Sequence, residues 1–208
     1  MPSLAHRGLW SAPDERNTLD AFRGAFAHGW GVELDVRDLD GTLVISHDPP
    51  AADALTFAAV VDAYVEHGCP GHLAVNVKAD GLEAMIADAL RPVDPASWFA
   101  FDMSVPDSLR YAGAGLPYFS RHSEIEPAPA LYEGSCGVWL DDFSGGFVTE
   151  ERITAHLDAG KHVAVVSPEL HKRDHLRVWG EWRRWSVWNS DRVHLCTDHP
   201  HQAEEVFA

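Results

Sequence analysis

Short apolar runs alternate with amphipathic segments along the whole of this 208-residue chain, and the alternation limits the fold more than any other feature of the sequence. Alternation of this kind is typical of a parallel β-sheet covered by helices. The apolar runs predict eight strands, at residues 4–8, 31–37, 73–78, 98–103, 118–122, 138–142, 163–167 and 193–197. A further run, 42–47, follows the turn signal Asp40-Gly41 and is predicted to form a hairpin with the second strand.

Eight β/α units in one chain predict a compact TIM (β/α)8 barrel, formed by residues 1–208 as a single domain. A doubly wound α/β sheet is the alternative architecture. Such sheets commonly bind phosphates through a GxGxxG or GxxxxGK[ST] loop, and neither motif occurs in this sequence.

Helical periodicity predicts helices at residues 18–28, 56–67, 82–90 and 149–159. The segment 178–188 is also helical in pattern and carries a tryptophan at every third position, namely Trp179, Trp182, Trp185 and Trp188. We interpret this segment as an aromatic ridge that packs on the barrel. The alternative is an exposed face for self-association or membrane contact, since exposed apolar patches usually mark interfaces.

The charge balance limits the partners of the protein. With 16 Lys and Arg against 32 Asp and Glu, the net charge of −16 argues against binding to nucleic acid or to an anionic membrane surface. A small anionic substrate stays compatible with the charge, because a bound cation and a few local basic side chains set the field inside a cleft. No apolar run approaches the length of about 18 residues that a membrane span needs.

Three cysteines, Cys69, Cys136 and Cys196, are widely spaced and form no CxxC pattern. They predict neither a disulfide framework nor a zinc site, and are interpreted as small core residues of a protein in a reducing compartment. We therefore expect a cytoplasmic protein.

Five residues suited to phosphodiester cleavage lie within the first 48 positions. Two histidines, His6 and His47, can divide proton transfer between a base and an acid. Glu33 and Asp35 are two apart on a predicted strand, so they point the same way and can hold one hard divalent cation. Arg7 supplies a fixed positive charge of the kind that binds phosphate.

Active sites of (β/α)8 barrels lie at the carboxyl ends of the strands. Polar residues are concentrated at those ends here: His6, Arg7, Glu33, Asp35, Arg37, Asn76, Lys78, Asp102, Ser104, Arg121, His122, Asp141, Asp142, Glu169, His171 and Asp198. Inward-pointing charge is costly without water, metal or a partner, so the concentration predicts a polar site at this end of the barrel.

The ordered motifs of the first 78 residues closely resemble those of glycerophosphodiester phosphodiesterases, which are related to the phosphatidylinositol phospholipase C enzymes. The matching runs are 5–8 (AHRG), 17–22 (NTLDAF), 31–36 (GVELDV), 44–48 (VISHD), 73–78 (LAVNVK) and, near the end of the chain, 197–200 (TDHP). The resemblance implies a TIM barrel, a bound Mg²⁺ or Ca²⁺ and two catalytic histidines, His6 and His47. It further implies that Glu33 and Asp35 hold the cation together with the residue at the third ligand position, which is Asn76 here. Arg7 and Lys78 are implied to contact the substrate phosphate.

Three departures from the family pattern stand out. The third metal-ligating carboxylate is replaced by Asn76, whose amide oxygen can ligate the cation but adds no charge. The family's Glu-Asn-Thr reads Arg16-Asn17-Thr18, with Glu15 one position earlier. The short segment between His47 and Lys78 lacks the small subdomain that the family often inserts there.

The function expected from these features is metal-dependent hydrolysis of a glycerophosphodiester or a related small phosphodiester. A metal-independent phosphodiesterase of the phospholipase C type is one alternative, favoured if Asn76 abolishes metal binding. A barrel that binds a ligand but has lost catalysis is the other.

Overall fold

The structure, a computed structural model, describes residues 3–208. Its nine strands are β1 (Ser3–His6), β2 (Gly31–Leu39), β3 (Thr42–Ile45), β4 (Leu73–Val77), β5 (Trp98–Phe101), β6 (Phe119–His122), β7 (Gly137–Leu140), β8 (His162–Val166) and β9 (Val193–Thr197). Within the same residues the α-helices are α1 (Leu19–Ala27), α2 (Phe57–Glu66), α3 (Glu83–Ala89), α4 (Val105–Ala114), α5 (Glu150–Asp158), α6 (His175–Trp182) and α7 (Pro200–Phe207).

Eight of the strands form one parallel sheet in the order β5-β4-β2-β1-β9-β8-β7-β6. The two edge strands meet through a parallel bridge between Ala100 and Tyr118, which brings the sheet round into a barrel. β3 pairs antiparallel with β2, as the Asp40-Gly41 turn predicted. The prediction of a (β/α)8 barrel is confirmed, and residues 46–56 form a loop with no inserted subdomain.

The helices α1, α2, α3 and α5 begin close to the positions predicted from their periodicity, after Thr18, Thr56, Leu82 and Thr149 respectively. The side chains of Thr18, Thr56 and Thr149 accept hydrogen bonds from backbone N–H groups in the first turns of α1, α2 and α5. The sequence patterns did not predict α4 and α7. Each has a proline in its first turn and buries only two residues. The apolar face of each helix is therefore too narrow to produce a clear helical period in the hydrophobicity of the sequence.

The Trp-rich segment is not one helix, because α6 ends at Trp182 and a separate 3₁₀ turn covers Ser186–Asn189. Trp179, Trp182 and Trp188 are buried between the barrel and α7, and Trp185 is partly buried against them. The aromatic-ridge interpretation is therefore confirmed.

Side chains alternate between the inside of the barrel and the helical layer. The interior contains stacked rings, with centroid separations of 3.6 Å for Phe99–Phe119 and 3.9 Å for Phe101–Trp139. This apolar plug fills the middle of the barrel, so polar side chains gather above and below it.

No helix within residues 3–208 has the length and apolarity needed to cross a membrane. The three cysteines are free, but only Cys196 is a core residue. Cys69 is partly buried and Cys136 is exposed, so the interpretation of all three as core residues was wrong. Cys136 lies in the turn that enters β7, where its side chain extends to the surface.

Candidate active site

A cleft of about 390 Å³ opens at the carboxyl ends of the barrel strands. Its polar lining is His6, Arg7, Arg16, Glu33, Asn76, Asp102, Arg121, Asp141, Glu169, His171, Lys172 and Asp198. Each of the eight parallel strands supplies a lining residue, from the strand itself or from the loop that follows it. Ten of the sixteen polar residues predicted at the strand ends thus line one cleft.

The turn after β1 presents two of the predicted residues to this cleft. Arg7 adopts a left-handed backbone conformation (φ 59°), and Gly8 follows with φ 89°. A Cβ atom on Gly8 would lie 2.7 Å from the backbone carbon of Ala21, so only glycine lets the turn pack against α1. This close packing holds His6 and Arg7 at the mouth of the barrel.

His6 is oriented by a carboxylate from the far end of the chain. Its Nδ1 lies 2.6 Å from Oδ1 of Asp198, and the other oxygen of Asp198 is 3.4 Å from Nη2 of Arg16. The indole of Trp10 donates to the backbone oxygen of His6 at 3.0 Å. When Nδ1 donates its proton to Asp198, Nε2 carries the lone pair and faces the cleft, where Oε2 of Glu33 is 3.8 Å away.

Arg16 occupies the cleft where the family's Glu-Asn-Thr motif has its glutamate. Its guanidinium lies 4.0 Å from the ring centroid of Trp10. Glu15 does not replace the glutamate, since its carboxylate turns away to accept hydrogen bonds from the N–H groups of Ser11 and Ala12. The departure is therefore a change from negative to positive charge at the site.

Glu33 is a buried carboxylate, with 2% of its surface exposed. Its Oε1 accepts a hydrogen bond of 3.1 Å from the side-chain amide of Asn76. Burial, followed by repulsion from the charge of Asp35, raises the pKa of Glu33 to about 7. The carboxyl group is thus about half protonated at pH 7, whereas an ordinary glutamate is almost fully ionised there.

Asp35 is fully buried and surrounded by donors. Asn17 donates to it at 2.9 Å, Nε of Arg7 lies 2.9 Å away, and Nζ of Lys78 lies 3.3 Å away. Neither Asp35 nor Lys78 belongs to the lining of the cleft. Arg7 and Lys78 therefore compensate the charge of Asp35, and the contact of Lys78 with the substrate phosphate stays a prediction.

The residues at this corner fit a hard divalent cation. Oε2 of Glu33 and Oδ1 of Asn76 are buried side-chain oxygens without a hydrogen-bond partner, and Oδ1 of Asp35 is paired with Nζ of Lys78 at 3.3 Å. The residues sit on adjacent parallel strands, with Asp35 directly opposite Asn76 in the register. Two carboxylates and an amide carbonyl are donors that Mg²⁺ and Ca²⁺ prefer, so a cation at this corner would satisfy the unpartnered oxygens.

The opposite wall of the cleft carries a second charged group. Arg121 contacts Asp102, lies 3.5 Å from Asp141 and lies 3.6 Å from Glu126. Nε2 of His171 is 2.5 Å from the other oxygen of Asp141. The strand-end pattern placed these residues at the site, but it assigned them no role.

His47 lies on the loop after β3. Its ring is about half exposed, Nδ1 is 3.0 Å from Asp48, and its backbone oxygen accepts two hydrogen bonds from Arg37. The backbone N–H of Ser46 donates to the oxygen of Asp35, so the loop is anchored beside the cation-binding corner. His47 does not line the cleft in this conformation, and its catalytic role stays a prediction.

Residues outside the cleft show why strand-end position alone was insufficient. His122 turns to the outer face and pairs with His156 at 2.9 Å, Asp142 pairs with Arg173, and Ser104 caps α4. His122 and Asp142 directly follow Arg121 and Asp141, which do line the cleft, as expected from the period of two in an extended chain. Ser104 lies three residues beyond the end of β5, where the chain has already turned into α4.

No protein-family profile matches the sequence, and no curated protein matches it either. The solved structures do match. A candidate glycerophosphodiester phosphodiesterase from Galdieria sulphuraria is 13% identical with a TM-score of 0.76, and the match covers 100% of this chain and 98% of that one. An Oleispira antarctica phosphodiesterase, in complex with the product sn-glycerol-3-phosphate, is 18% identical with a TM-score of 0.70 over 99% and 96% of the two chains.

This is the fold of the glycerophosphodiester phosphodiesterases. A Ca²⁺-dependent phosphatidylinositol-specific phospholipase C from Streptomyces antibioticus also shares it, at 11% identity and a TM-score of 0.55 over 99% and 96% of the two chains. The resemblance read from the motifs is therefore confirmed in the fold, over the full length of the described chain.

Proposed function

We propose that this protein is a metal-dependent phosphodiesterase that hydrolyses a glycerophosphodiester or a related small phosphodiester. One observation carries the proposal: at the carboxyl end of a barrel, the oriented His6–Asp198 pair lies beside the buried oxygens of Glu33, Asp35 and Asn76, and those of Glu33 and Asn76 include one oxygen each without a partner. A proton-transfer group next to a cation site is what phosphodiester cleavage requires. The shared fold of two phosphodiesterases and a phospholipase C supports it.

Glu33, Asp35 and Asn76 would hold the cation. When bound, Mg²⁺ or Ca²⁺ neutralises charge on the nonbridging phosphate oxygens. Arg7 lines the cleft at the same corner and is placed to contact those oxygens, while Lys78 keeps Asp35 compensated and in position. We also assign Arg121, on the opposite wall, to the substrate phosphate. Its guanidinium carries positive charge between the carboxylates of Asp102 and Asp141.

Proton transfer is assigned to two histidines. Nε2 of His6 faces the cleft and takes or delivers a proton, while Asp198 stabilises the protonated ring. His47 is the second group, acting from the loop next to Asp35. This role requires the His47 ring to reach the cleft, since in this structure it is about half exposed and does not line the cleft. The nucleophile is water or a neighbouring substrate hydroxyl.

The substrate class follows from the shape of the site. The main cleft borders a second pocket of about 230 Å³, and Asp102 and Arg121 line both. The second pocket is also lined by Met103, Val105 and Phe119. A small alcohol substituent of a diester fits there, beside a phosphate held in the cleft.

Turnover of bis(p-nitrophenyl) phosphate and of glycerophosphocholine, with Mg²⁺, with Ca²⁺ and with EDTA, tests the proposal. We expect cation-dependent turnover, lowered by about 10²–10⁴-fold in His6→Ala and in His47→Ala. His28→Ala is the matched control, since this exposed histidine lies at the end of α1, outside the cleft.

Turnover that is indifferent to EDTA would instead support the metal-independent phospholipase C type. Binding of sn-glycerol-3-phosphate without turnover of either substrate would support a non-catalytic binding barrel. Full activity in His47→Ala would remove that residue from the mechanism.

We also place this activity in the cytoplasm, as the cysteine pattern suggested. The three cysteines are free, and Cys136 is exposed to solvent without a partner thiol. A reducing compartment suits an exposed free thiol.

A further inference from the structure

Three histidines meet at the end of the barrel opposite the cleft. His72 directly precedes β4, His162 begins β8 and His194 lies on β9. One ring nitrogen of each lies within 4.8 Å of the corresponding nitrogen of the others. We call His72, His162 and His194 the histidine triad.

The triad spans the interior of the barrel. In the sheet order, β2 and β1 separate β4 from β9, so His72 faces His162 and His194 across the barrel. The ring centroids of His72 and His194 are 4.6 Å apart, and those of His72 and His162 are 5.9 Å apart. An ion held by all three would link two opposite walls that share no backbone hydrogen bonds.

The triad is separate from the cation-binding corner of the cleft. His194, Cys196 and Asp198 follow each other at intervals of two, so all three point inward from the same strand. At about 3.3 Å per residue, the backbone of His194 lies roughly 13 Å from that of Asp198. The apolar plug, including Leu4, Phe99 and Cys196, fills the space between the two sites.

The three rings are suited to ligation. His194 is buried, with 1% of its surface exposed, and its Nδ1 has no hydrogen-bond partner. Its Nε2 lies 3.4 Å from Nδ1 of His162. Zinc–nitrogen bonds of about 2.0–2.1 Å place the nitrogens of a tetrahedral site roughly 3.4 Å apart, so this pair already has the required separation.

The protonation of the triad favours a metal. Burial, and then the nearness of the other rings, lowers the pKa of His194 to about 3 and lowers the pKa of His72 in the same way. Burial and the charge of Arg192 lower the pKa of His162, against the opposing effect of Asp191. The rings are thus neutral near pH 7 and offer lone pairs, which is the form that ligates metals.

We propose that the histidine triad binds one transition-metal cation, with Zn²⁺ as the preferred ion. The bound ion forms a structural site that ties β4 to β8 and β9. Imidazole ligands suit Zn²⁺, Cu²⁺ and Ni²⁺, whereas the oxygen donors of the cleft suit Mg²⁺ and Ca²⁺. Solvent reaches the site past the partly exposed rings of His72 and His162 and supplies the fourth ligand. At the amino-terminal end of a barrel such a site contributes to stability rather than to catalysis.

The test is a Zn²⁺ titration of chelator-treated protein by calorimetry, repeated in Glu33→Gln so that the carboxylates of the cleft do not compete. We expect one Zn²⁺ per chain at the triad in Glu33→Gln, and the triad variants are compared in that background. His72→Asn and His162→Asn should each weaken binding by about 100-fold or more, since loss of even an outer partner costs about 10–100-fold. His122→Asn, which removes a partly buried histidine from the separate pair with His156, should leave the affinity unchanged.

Stability gives a second readout. Zn²⁺ at 100 times its Kd should raise the Tm of the wild type by about 5–10 °C, and this shift should disappear in His162→Asn. Circular dichroism checks that each variant is folded. If neither triad variant folds, the visible spectrum of the Co²⁺-loaded wild type decides, because tetrahedral ligation by nitrogen produces intense d–d bands.

Absence of Zn²⁺ binding to the wild type, or equal affinity in wild type, His72→Asn and His162→Asn, would overturn the proposal and leave the triad as a packed layer of neutral rings. Neither result would affect the proposed phosphodiesterase activity, which depends on the other end of the barrel.

Discussion

Replacement of Glu33 by glutamine should stabilise the protein when no cation is present and abolish cation binding. Glu33 is buried, and its Oε2 has no hydrogen-bond partner. Glutamine has nearly the same shape, keeps the oxygen that accepts from Asn76, and carries no charge. The stability of the free protein and its affinity for cations are therefore expected to change in opposite directions.

The magnitude follows from the raised pKa. Burial and the charge of Asp35 raise the pKa of Glu33 from the ordinary 4.5 to about 7. Because the folded state holds the proton more tightly than the unfolded state, ionisation destabilises the fold as pH rises from about 4.5 to about 7. The difference in pKa corresponds to about 3 kcal/mol of lost stability above pH 7. Below pH 4.5 both states are protonated and the difference vanishes.

Thermal unfolding of wild type and Glu33→Gln, in EDTA between pH 5 and pH 8.5, measures this effect. For a domain of this size, about 3 kcal/mol corresponds to a rise in Tm of about 6–12 °C at pH 8.5, and about a quarter of that rise is expected at pH 5. Glu66→Gln is the control, because this exposed carboxylate of α2 pairs only with Arg23 at 3.7 Å. Added Mg²⁺ or Ca²⁺ should stabilise the wild type and leave Glu33→Gln unchanged.

A Glu33→Gln protein that is less stable than the wild type at pH 8.5 without cation would refute this reasoning. Glu33 would then be a stabilising partner of His6 and Arg7 rather than a carboxylate kept for a cation. A rise in Tm of the same size at pH 5 and pH 8.5 would also refute it, because the effect would not come from ionisation.

Four further predictions concern the candidate cation site, the partner of His6 and the Trp-rich segment. Cation affinity should rise by up to about tenfold per pH unit below pH 7 and level off above it, because binding displaces the proton of Glu33; calorimetry in buffers of different ionisation enthalpy counts that proton. Asp198→Asn should lower kcat by part of the 10²–10⁴-fold that a general acid or base contributes, with a shifted pH–rate profile, since His6 loses its charged partner. Asn76→Asp should tighten cation binding by adding a charged ligand, and unchanged or weaker affinity in a Mg²⁺ and Ca²⁺ titration would remove Asn76 from the coordination shell. If the Trp-rich segment supports self-association, Trp185→Ala should lower the mass measured by light scattering, since Trp185 is its least buried tryptophan; an unchanged mass would exclude that surface.

The sequence alone determined the parts of this protein that depend on local periodicity. The β/α alternation predicted the barrel, and the spacing of two predicted that Glu33 and Asp35 point to the same face of a strand. The His6-Arg7-Gly8 turn was recognisable as a motif because Gly8 has no alternative at its contact with Ala21. The strand ends predicted where the polar site lies, although not which of two neighbouring residues faces it.

The tertiary structure alone decided which of these residues are partners. His6 and Asp198 are 192 positions apart, and His72 meets His194 only because β4 and β9 lie on opposite walls of one barrel. Lys78 matched the family motif for phosphate contact, and only the folded chain shows that its ammonium lies 3.3 Å from Asp35. A strand pattern encodes the face of each side chain, whereas distances across the barrel depend on how the strands tilt and stagger as the sheet closes. No local pattern in the chain contains that information.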